Sequence, residues 1–567
     1  MHRRLWLSVA MLAAGASLLV AASLASAAGS GTAKIKKGGT FRVATTGGSV
    51  PIDPQIAYVS TAWWAEYATA GRLYNYPDKP APVGAQLVPE IAKSFKVSSN
   101  GKKYTFTIRK GFKFSDGKKV NAKSFQYAIN RALNKKLNSP GGPFMSDAAG
   151  SFIVGADKVR DGKTNKAKGV KVRGNKLIVS LKHADSTFMA KITMPFFQAT
   201  SKKLPLTKEV IKVKNTKTMP TAGPYAWSNV VPDRLWVLKK NKYYKPGKAG
   251  HKRPQNINAL RLEWNVPEEA GYLKTLRNQY DDGPLPAAHV QEVKKRFGTN
   301  KSRYWAKTLV GTRYLALNVS HKNGIFKGNV PMRKAVNWAV NRKQYVQQAG
   351  VDAGAAWTHL LPPGMPGAVL KKSKQPYAKT AKYAKARQVA NGHFKNGKIT
   401  VWYRNTTDAL RNQWAIVHRD LRALGFKESN IDSRGWDASI YDAAGERGAN
   451  FDMTVSTGWL QDYPDPYDFV NILLHGGTNI HATGNVNYSY FNSKAYDKKM
   501  DKAARKVGKA RLKAYGKLDL DIARNAAPMA SMGTYKNRYL FSNRVNKKCL
   551  VYQAVYADWS IPALCLK

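Results

Sequence analysis

The sequence predicts a mixed α/β protein built from several folding units. Three observations carry this. Short stretches alternate strictly between apolar and polar residues, as in Tyr104, Phe106 and Ile108 against Thr105, Thr107 and Arg109, the period of a half-buried strand. Between them lie stretches with apolar residues three and four apart, such as Phe125, Ala128, Ile129, Ala132 and Leu133, the period of a helix face. The two patterns alternate along the chain, which places helices in layers on sheets. The 567 residues include 14 Trp, 28 Tyr and 19 Phe. That is enough apolar area for about three or four units at roughly 150 residues each, and it excludes a disordered chain.

Taken in order, residues 1–27 read as a secretory signal. Arg3 and Arg4 give a positive start, Leu5 to Val20 is apolar, and Ala25-Ser26-Ala27 is an A-x-A cleavage site. The segment has no cysteine to carry a lipid. Asn100-Gly101 between Val97 and Lys103 signals a two-residue hairpin. Asp116-Gly117 turns the chain again, and Asn121 caps the helix that carries Phe125 to Leu133. A second strand pair sets Val170 and Val172 against Leu177, Val179 and Leu181 around Gly174-Asn175. Helices follow at Ala335 to Val346, Ala381 to Val389, Ala409 to Leu424 and Tyr496 to Leu518, alternating with strands such as Lys398 to Tyr403 and Asp452 to Ser456. No internal repeat appears.

Motifs for chemistry are absent from the sequence. The ten histidines form no H-E-x-x-H. Gly169 and Gly174 have phosphate-loop spacing, but Asn175 and Lys176 stand where Lys and Ser or Thr are required. Ser99 to Lys102 and Ser115 to Lys118 fit S-x-x-K, yet each contains a turn dipeptide and lacks its partner motifs. These features argue against an enzyme, and no catalytic residue, metal site or cofactor is expected. Cys549 and Cys565 are 16 apart, and either a disulfide or two buried thiols fits them.

A set of collinear motifs resembles a known family. Leu87 to Ala92, Tyr104 to Gly111, Phe114-Ser115-Asp116-Gly117 and Asn121-Ala122 resemble the signature region of the oligopeptide- and dipeptide-binding proteins of bacterial ATP-binding cassette (ABC) importers, extracellular solute-binding protein family 5. So do Gly38 to Arg42 with Ile52-Asp53-Pro54, Ala222-Gly223-Pro224-Tyr225, Leu315 to Asn318, Leu361 to Gly367, Phe451-Asp452-Met453 with Trp459, Asp462-Tyr463-Pro464-Asp465-Pro466, and Asn487 to Asn492. The resemblance implies a two-lobe fold of the type II periplasmic-binding-protein kind. Lobe one would comprise about 28–309 plus 528–567, with a subdomain inserted at about 77–215, and lobe two about 310–527. The hinge would lie at Tyr314 to Asn318 and around Met529 to Tyr535.

The resemblance also implies the site. Asp462 matches the carboxylate that holds a peptide's α-ammonium, the backbone of Trp459, Leu460 and Gln461 matches the strand that meets the ligand, and Gly71, Arg72, Leu73 and Tyr74 match the facing segment of lobe one. An ordinary loop carboxylate beside Asp465 and Asp468 is the alternative for Asp462, and calcium is disfavoured there because Pro464 and Pro466 restrict the loop and no turn glycine is present. Gly71-Arg72 stands where the family has Glu-Gly, which replaces an acid by a cation beside the ligand. Asn341 before Arg342 likewise replaces an Asp. The expected function is capture of short peptides for a membrane permease with cytoplasmic ATPases. Sugars, nickel chelates or haem are the alternative solutes on this fold.

Charge is the remaining feature. The chain carries 94 Lys plus Arg against 34 Asp plus Glu, a net +60. On a folded surface of ~20,000 Å² each net charge has roughly 350 Å² and lies ~18 Å from the next, about two Debye lengths. Such a surface favours contact with an anionic cell envelope or wall polymer. Dispersed lysines on an exported protein argue against specific nucleic-acid binding. A monomer in the periplasm or the extracellular wall space is expected.

Overall fold

The computed structural model describes residues 35–146, 152–206, 211–245, 252–437 and 439–567; the signal-type segment 1–27 lies outside them. Two long strands, Tyr304–Leu317 and Met529–Phe541, run side by side through the middle of a ten-stranded sheet. They are antiparallel, from Tyr304 opposite Leu540 to Ala316 opposite Met529. Beyond Met529–Phe541 the sheet continues through Asp282–Gly283, Thr40–Ala44, Ala259–Glu263, Leu235–Lys240 and Tyr225–Val231. Beyond Tyr304–Leu317 it continues through Met453–Leu460, Ile399–Arg404 and Ile431–Trp436.

Each wing of this sheet has its own core, which makes two lobes. Phe41, Trp227, Trp236, Leu260 and Trp264 pack together in the first, and Met332, Val336, Val401, Leu421 and Met453 in the second. The long strands feed both, with Tyr539 and Phe541 in one and Leu315, Leu317, Ala530 and Met532 in the other. Their mutual register shifts between Leu309 and Thr312 and between Arg313 and Tyr314, opposite Tyr535 to Ser531. Such irregularities interrupt the ladder and increase local twist. They fall within the Met529 to Tyr535 segment on one strand and at the leading edge of Tyr314 to Asn318 on the other.

A separate four-stranded sheet, in the order Ala92–Val97, Lys103–Ile108, Lys176–Ser180, Val170–Arg173, forms the inserted subdomain together with the helix Ala122–Leu133. Asn121 and Ser124 cap that helix reciprocally, Asn121 Oδ1 accepting from the Lys123 N–H and Ser124 Oγ from the Asn121 N–H. Its buried face includes Phe125, Ala128, Ile129, Ala132 and Leu133. Between the first two strands Asn100-Gly101 sits in a five-residue loop, not a two-residue turn. Gly101 donates to the Ser98 carbonyl and Ser98 to the Lys103 carbonyl, which adds a turn inside the hairpin.

Two expected helices are each broken in two. Val330–Ala339 ends before Val340, and Asn341 starts Arg342–Gln347 by accepting from the Gln344 N–H. Asn341 is therefore a helix cap. Lys494–Ala504 and Gly508–Asp521 are separated at residues 505–507. Cys549 and Cys565 form a disulfide with Cα atoms 5.6 Å apart. It closes the base of a hairpin, Tyr552–Gln553 against Asp558–Trp559.

Candidate functional site

The strand Met453–Leu460 builds one side of the site. Its first residues pair on both edges, Met453 to Val455 with Val401 to Tyr403 on one and Met453 and Thr454 with Leu317 and Ala316 on the other. At Val455 and Ser456 the register against Tyr314 and Ala316 slips. Ser456 there adopts φ +67, a left-handed conformation that costs about 1 kcal/mol or more in a non-glycine residue. This bulge steers the strand away from Val401 to Tyr403. Thr457 to Leu460 pair with Gly311 to Tyr314 on one edge, and Ile399–Arg404 does not follow along the other. Gly458 permits this path, because a Cβ there would stand 1.8 Å from the Tyr535 hydroxyl.

Asp462 lies just beyond the end of that strand. One carboxylate oxygen, Oδ2, accepts from the Tyr58 hydroxyl at 2.5 Å, and the Asp462 N–H donates to Asp468 Oδ2 at 2.8 Å. Among the described residues no Lys, Arg or His lies within ion-pair distance of Asp462, whereas neighbouring Asp465 is held by Arg511 at 2.9 Å. Burial without a counter-ion pushes Asp462 up to about 7, against the lowering effect of the Tyr58 and Asp468 hydrogen bonds. Asp468 is fully buried and raised well above the usual carboxylate range, first by burial and then by the Asp462 charge; its Oδ1 has no hydrogen-bond partner. Two acids share this pocket, and each raises the cost of ionising the other.

Residues from lobe one close over this corner. The Tyr58 ring lies 6.3 Å from Trp459, and the Phe144 ring 6.3 Å from Tyr463. Lys191, paired with Asp185 at 3.0 Å, sits 4.7 Å from the Tyr467 ring. Gln461 Nε2 donates to the Val555 carbonyl at 3.4 Å, at the tip of the disulfide-based hairpin. The lobes are in contact in this structure.

The segment Gly71 to Tyr74 packs tightly within lobe one. The Gly71 carbonyl accepts from Ala199, that of Arg72 from Ile91, and that of Leu73 from Glu90 and Ala92, while Tyr74 pairs with Pro89. A Cβ at position 71 would meet Ile91 Cδ1 at 2.7 Å and Ala222 Cβ at 2.8 Å, so this backbone has no room for an acidic side chain there. The Arg72 guanidinium is fully buried, 4.6 Å from the Tyr67 ring centroid and 5.2 Å from that of Tyr556. Those two rings stack at 3.4 Å.

Of the residues singled out in the sequence, Trp459, Gln461 and Asp462 meet lobe one directly, and Leu460 pairs with Gly311 beside them. Gly71 to Tyr74 do not meet them; Arg72 packs on Tyr67 and Tyr556. Sequence reasoning missed Tyr58, Tyr67, Asp468 and Tyr556 as neighbours of the site. In the sequence Asp468 is only a third acid in the loop. The tyrosines belong to no local motif, and they are legible only from the folding of remote segments onto each other.

Comparison with known proteins agrees with this architecture. The family profile of "Bacterial extracellular solute-binding proteins, family 5 Middle" matches residues 86–480. The chain is 24% identical over 540 residues to heme-binding protein A of Haemophilus influenzae, covering 91% of this chain and 92% of that protein. It is 26% identical to di/tripeptide-binding protein 1 of Pseudomonas aeruginosa, over 77% of this chain and 79% of that one. The solved structure of clavulanic acid biosynthesis oligopeptide binding protein 2 superposes with a TM-score of 0.79 at 18% identity, covering 94% and 96% of the two chains. The chain belongs to the bacterial extracellular solute-binding proteins of family 5.

Proposed function

We propose that this protein captures short peptides between its lobes and delivers them to the permease of an ABC importer. The observation that carries the reading is the carboxyl of Asp462, half-buried between the lobes with no counter-ion, just beyond the end of a strand that has left its neighbour. A peptide offers an ammonium to the first and a row of backbone donors and acceptors to the second. Relatives named for di- and tripeptides and for oligopeptides support it. A relative named for haem marks the main alternative solute on this fold.

The reading extends to the rest of the protein's working life. Lobe one is 28–309 plus 528–567, with its insert at about 77–215, and lobe two is 310–527; residues 1–27 are removed on export. The protein acts as a monomeric binder without catalysis. Its positive charge holds it at the anionic envelope.

Native mass spectrometry of the purified protein tests the function. A heterogeneous set of bound peptides of a few residues is expected. Bound haem, or turnover of added peptides, would overturn the reading. Added peptide should also raise the melting temperature by mass action and shrink the radius of gyration in solution scattering, through a hinge closure.

A further inference from the structure

The outward face of the inserted sheet carries charge of one sign only. Its inward residues, among them Tyr104, Phe106, Leu177, Val179 and Val170, are buried, so the alternation of a strand turns their neighbours to solvent. Register sets those neighbours in rows across the four strands. Lys96, Thr105, Ile178 and Lys171 form one row, Ser94, Thr107, Lys176 and Arg173 the next, and Lys103 stands opposite Ser180. Lys96, Lys103, Lys171, Arg173 and Lys176 are exposed, and Thr105, Thr107 and Ser180 between them are half-buried. None of the four strands contains an acid, and none of the five cations lies within ion-pair distance of a carboxylate among the described residues. Elsewhere exposed cations on regular elements are answered by acids: Arg261 meets Glu263 at 2.8 Å on a strand of the large sheet, and Lys499 meets Asp521 at 2.7 Å between two helices.

Such an arrangement costs stability unless an anion answers it. Arg173 and Lys176 oppose each other directly on neighbouring strands, where like charges are destabilising, and Lys171 stands two residues from Arg173, ~7 Å along the strand. The shape of the face narrows the class of anion. From Lys96 to Lys171 it spans three strand spacings, ~14 Å, with cations at both edges and hydroxyls on the floor between them. An extended chain of phosphates can lie across it, its charges met by the cations and its oxygens by Thr105, Thr107 and Ser180 as donors. A lipid surface calls for exposed Trp, Phe or Leu to enter the headgroup layer, and a nucleic-acid single strand calls for rings on which its bases stack. The outward residues include neither, Ile178 being the one apolar side chain in these rows.

We propose that this face binds a linear polyol-phosphate polymer of the cell envelope, so that retention of the protein is local to the inserted subdomain and not a property of its total charge. This rests on the envelope reading above and adds the surface and the partner to it. The face lies on strands that supply none of the residues named at the Asp462 corner, so a tethered protein keeps its cleft open to ligand.

The test uses the full mature protein and a synthetic poly(glycerol phosphate) of defined length, with binding measured over a range of salt. One variant combines Lys96→Gln, Lys103→Gln, Lys171→Gln and Lys176→Gln. A second, with the same loss of charge, combines Lys506→Gln, Lys509→Gln, Lys513→Gln and Lys517→Gln at exposed positions on and just before the lobe-two helix Gly508–Asp521. The first should weaken polymer binding by about tenfold or more and lower the slope of log K against log salt by about 2 to 3, since each contact with a single-stranded polyanion contributes about 0.7. The second should change neither, and both should melt with the wild type, as solvent-facing substitutions do. Equal weakening by the two variants would overturn the face and leave the envelope reading standing. Tighter binding of the wild type to anionic vesicles or to single-stranded DNA than to the polymer would overturn the polymer as partner. No binding of the polymer by the wild type would overturn the proposal, and complete shedding of the protein from washed cells in low-salt buffer would overturn the envelope reading with it. The wild-type comparison of polymer, vesicle and DNA decides the matter even if the first variant does not fold.

Discussion

The Tyr58 hydroxyl of lobe one donates to the Asp462 carboxylate of lobe two at 2.5 Å, so one hydrogen bond ties the two sides of the cleft together. It also occupies the acceptor that a ligand ammonium would use. A hydrogen bond to a charged group contributes ~1.5 to 3 kcal/mol, comparable to the energy that separates open from closed forms in hinged proteins. Tyr58→Phe should therefore enlarge the radius of gyration of the ligand-free protein and leave that of the peptide-saturated protein unchanged. Identical ligand-free scattering curves for the two proteins would exclude this latch.

Asp462 also sets a pH dependence. Its carboxyl is raised to about 7 by burial, so the ligand-free folded protein binds a proton there that an unfolded chain gives up near pH 4. The stability this contributes is present at low pH and is lost as pH rises from about 4 to about 7. Binding an ammonium requires the ionised form. Peptide affinity should climb between about pH 5 and 7, with proton release in calorimetry, and fall again above about pH 8 as the α-amine deprotonates.

Replacing the carboxyl checks the same contact without titration. Asp462→Asn leaves a ligand ammonium buried with no anionic partner and should weaken peptide binding by roughly 2 to 5 kcal/mol. N-acetylated peptides should lose a similar amount on the wild type and little more on the variant. Calorimetry with acetylated and free forms of one peptide reads both.

Stability of lobe one should depend on a pair far from the chemistry. Arg131 Nη1 and Nη2 donate to the two oxygens of Asp53 at 2.6 and 2.5 Å, with the Gln55 side chain and the Pro205 carbonyl completing its partners, and both charged side chains are buried. Asp53→Asn strands the guanidinium without a counter-charge. The expected cost is about 3 to 5 kcal/mol, read as a lower urea midpoint; an unchanged midpoint would show that the pair is dispensable.

Electrostatic retention makes its own prediction. The proposed cleavage after Ala27 would remove only Arg3 and Arg4 from a net charge of +60, and each contact with a polyanion releases counter-ions on forming. Washing intact producing cells in rising sodium chloride should release the protein from about a few tenths molar upward. Complete shedding in low-salt buffer, or retention through molar salt, would each rule the mechanism out.

Much of the local structure was legible in the residues, because caps, turns and alternating patterns act over a few positions. Asn121 starts its helix, Gly174 turns between two strands with φ +56, and Val170 faces Val179 as their alternation requires. Where local signals failed, a long-range partner had intervened. Val340 and Asn341 interrupt one helix where the Asn341 N–H meets Asp420, 79 residues away. The placement of Asp462 on the chain was readable, but its environment was not: Tyr58 and Asp462 are 404 residues apart, and Arg72 meets Tyr556 across a similar distance in sequence. Charge pairing and desolvation depend on separation in space and on the exclusion of water. Neither exists until the two long strands have brought the lobes together, so it is there that an ordinary loop acid and one arginine among 94 cations acquire their distinct character.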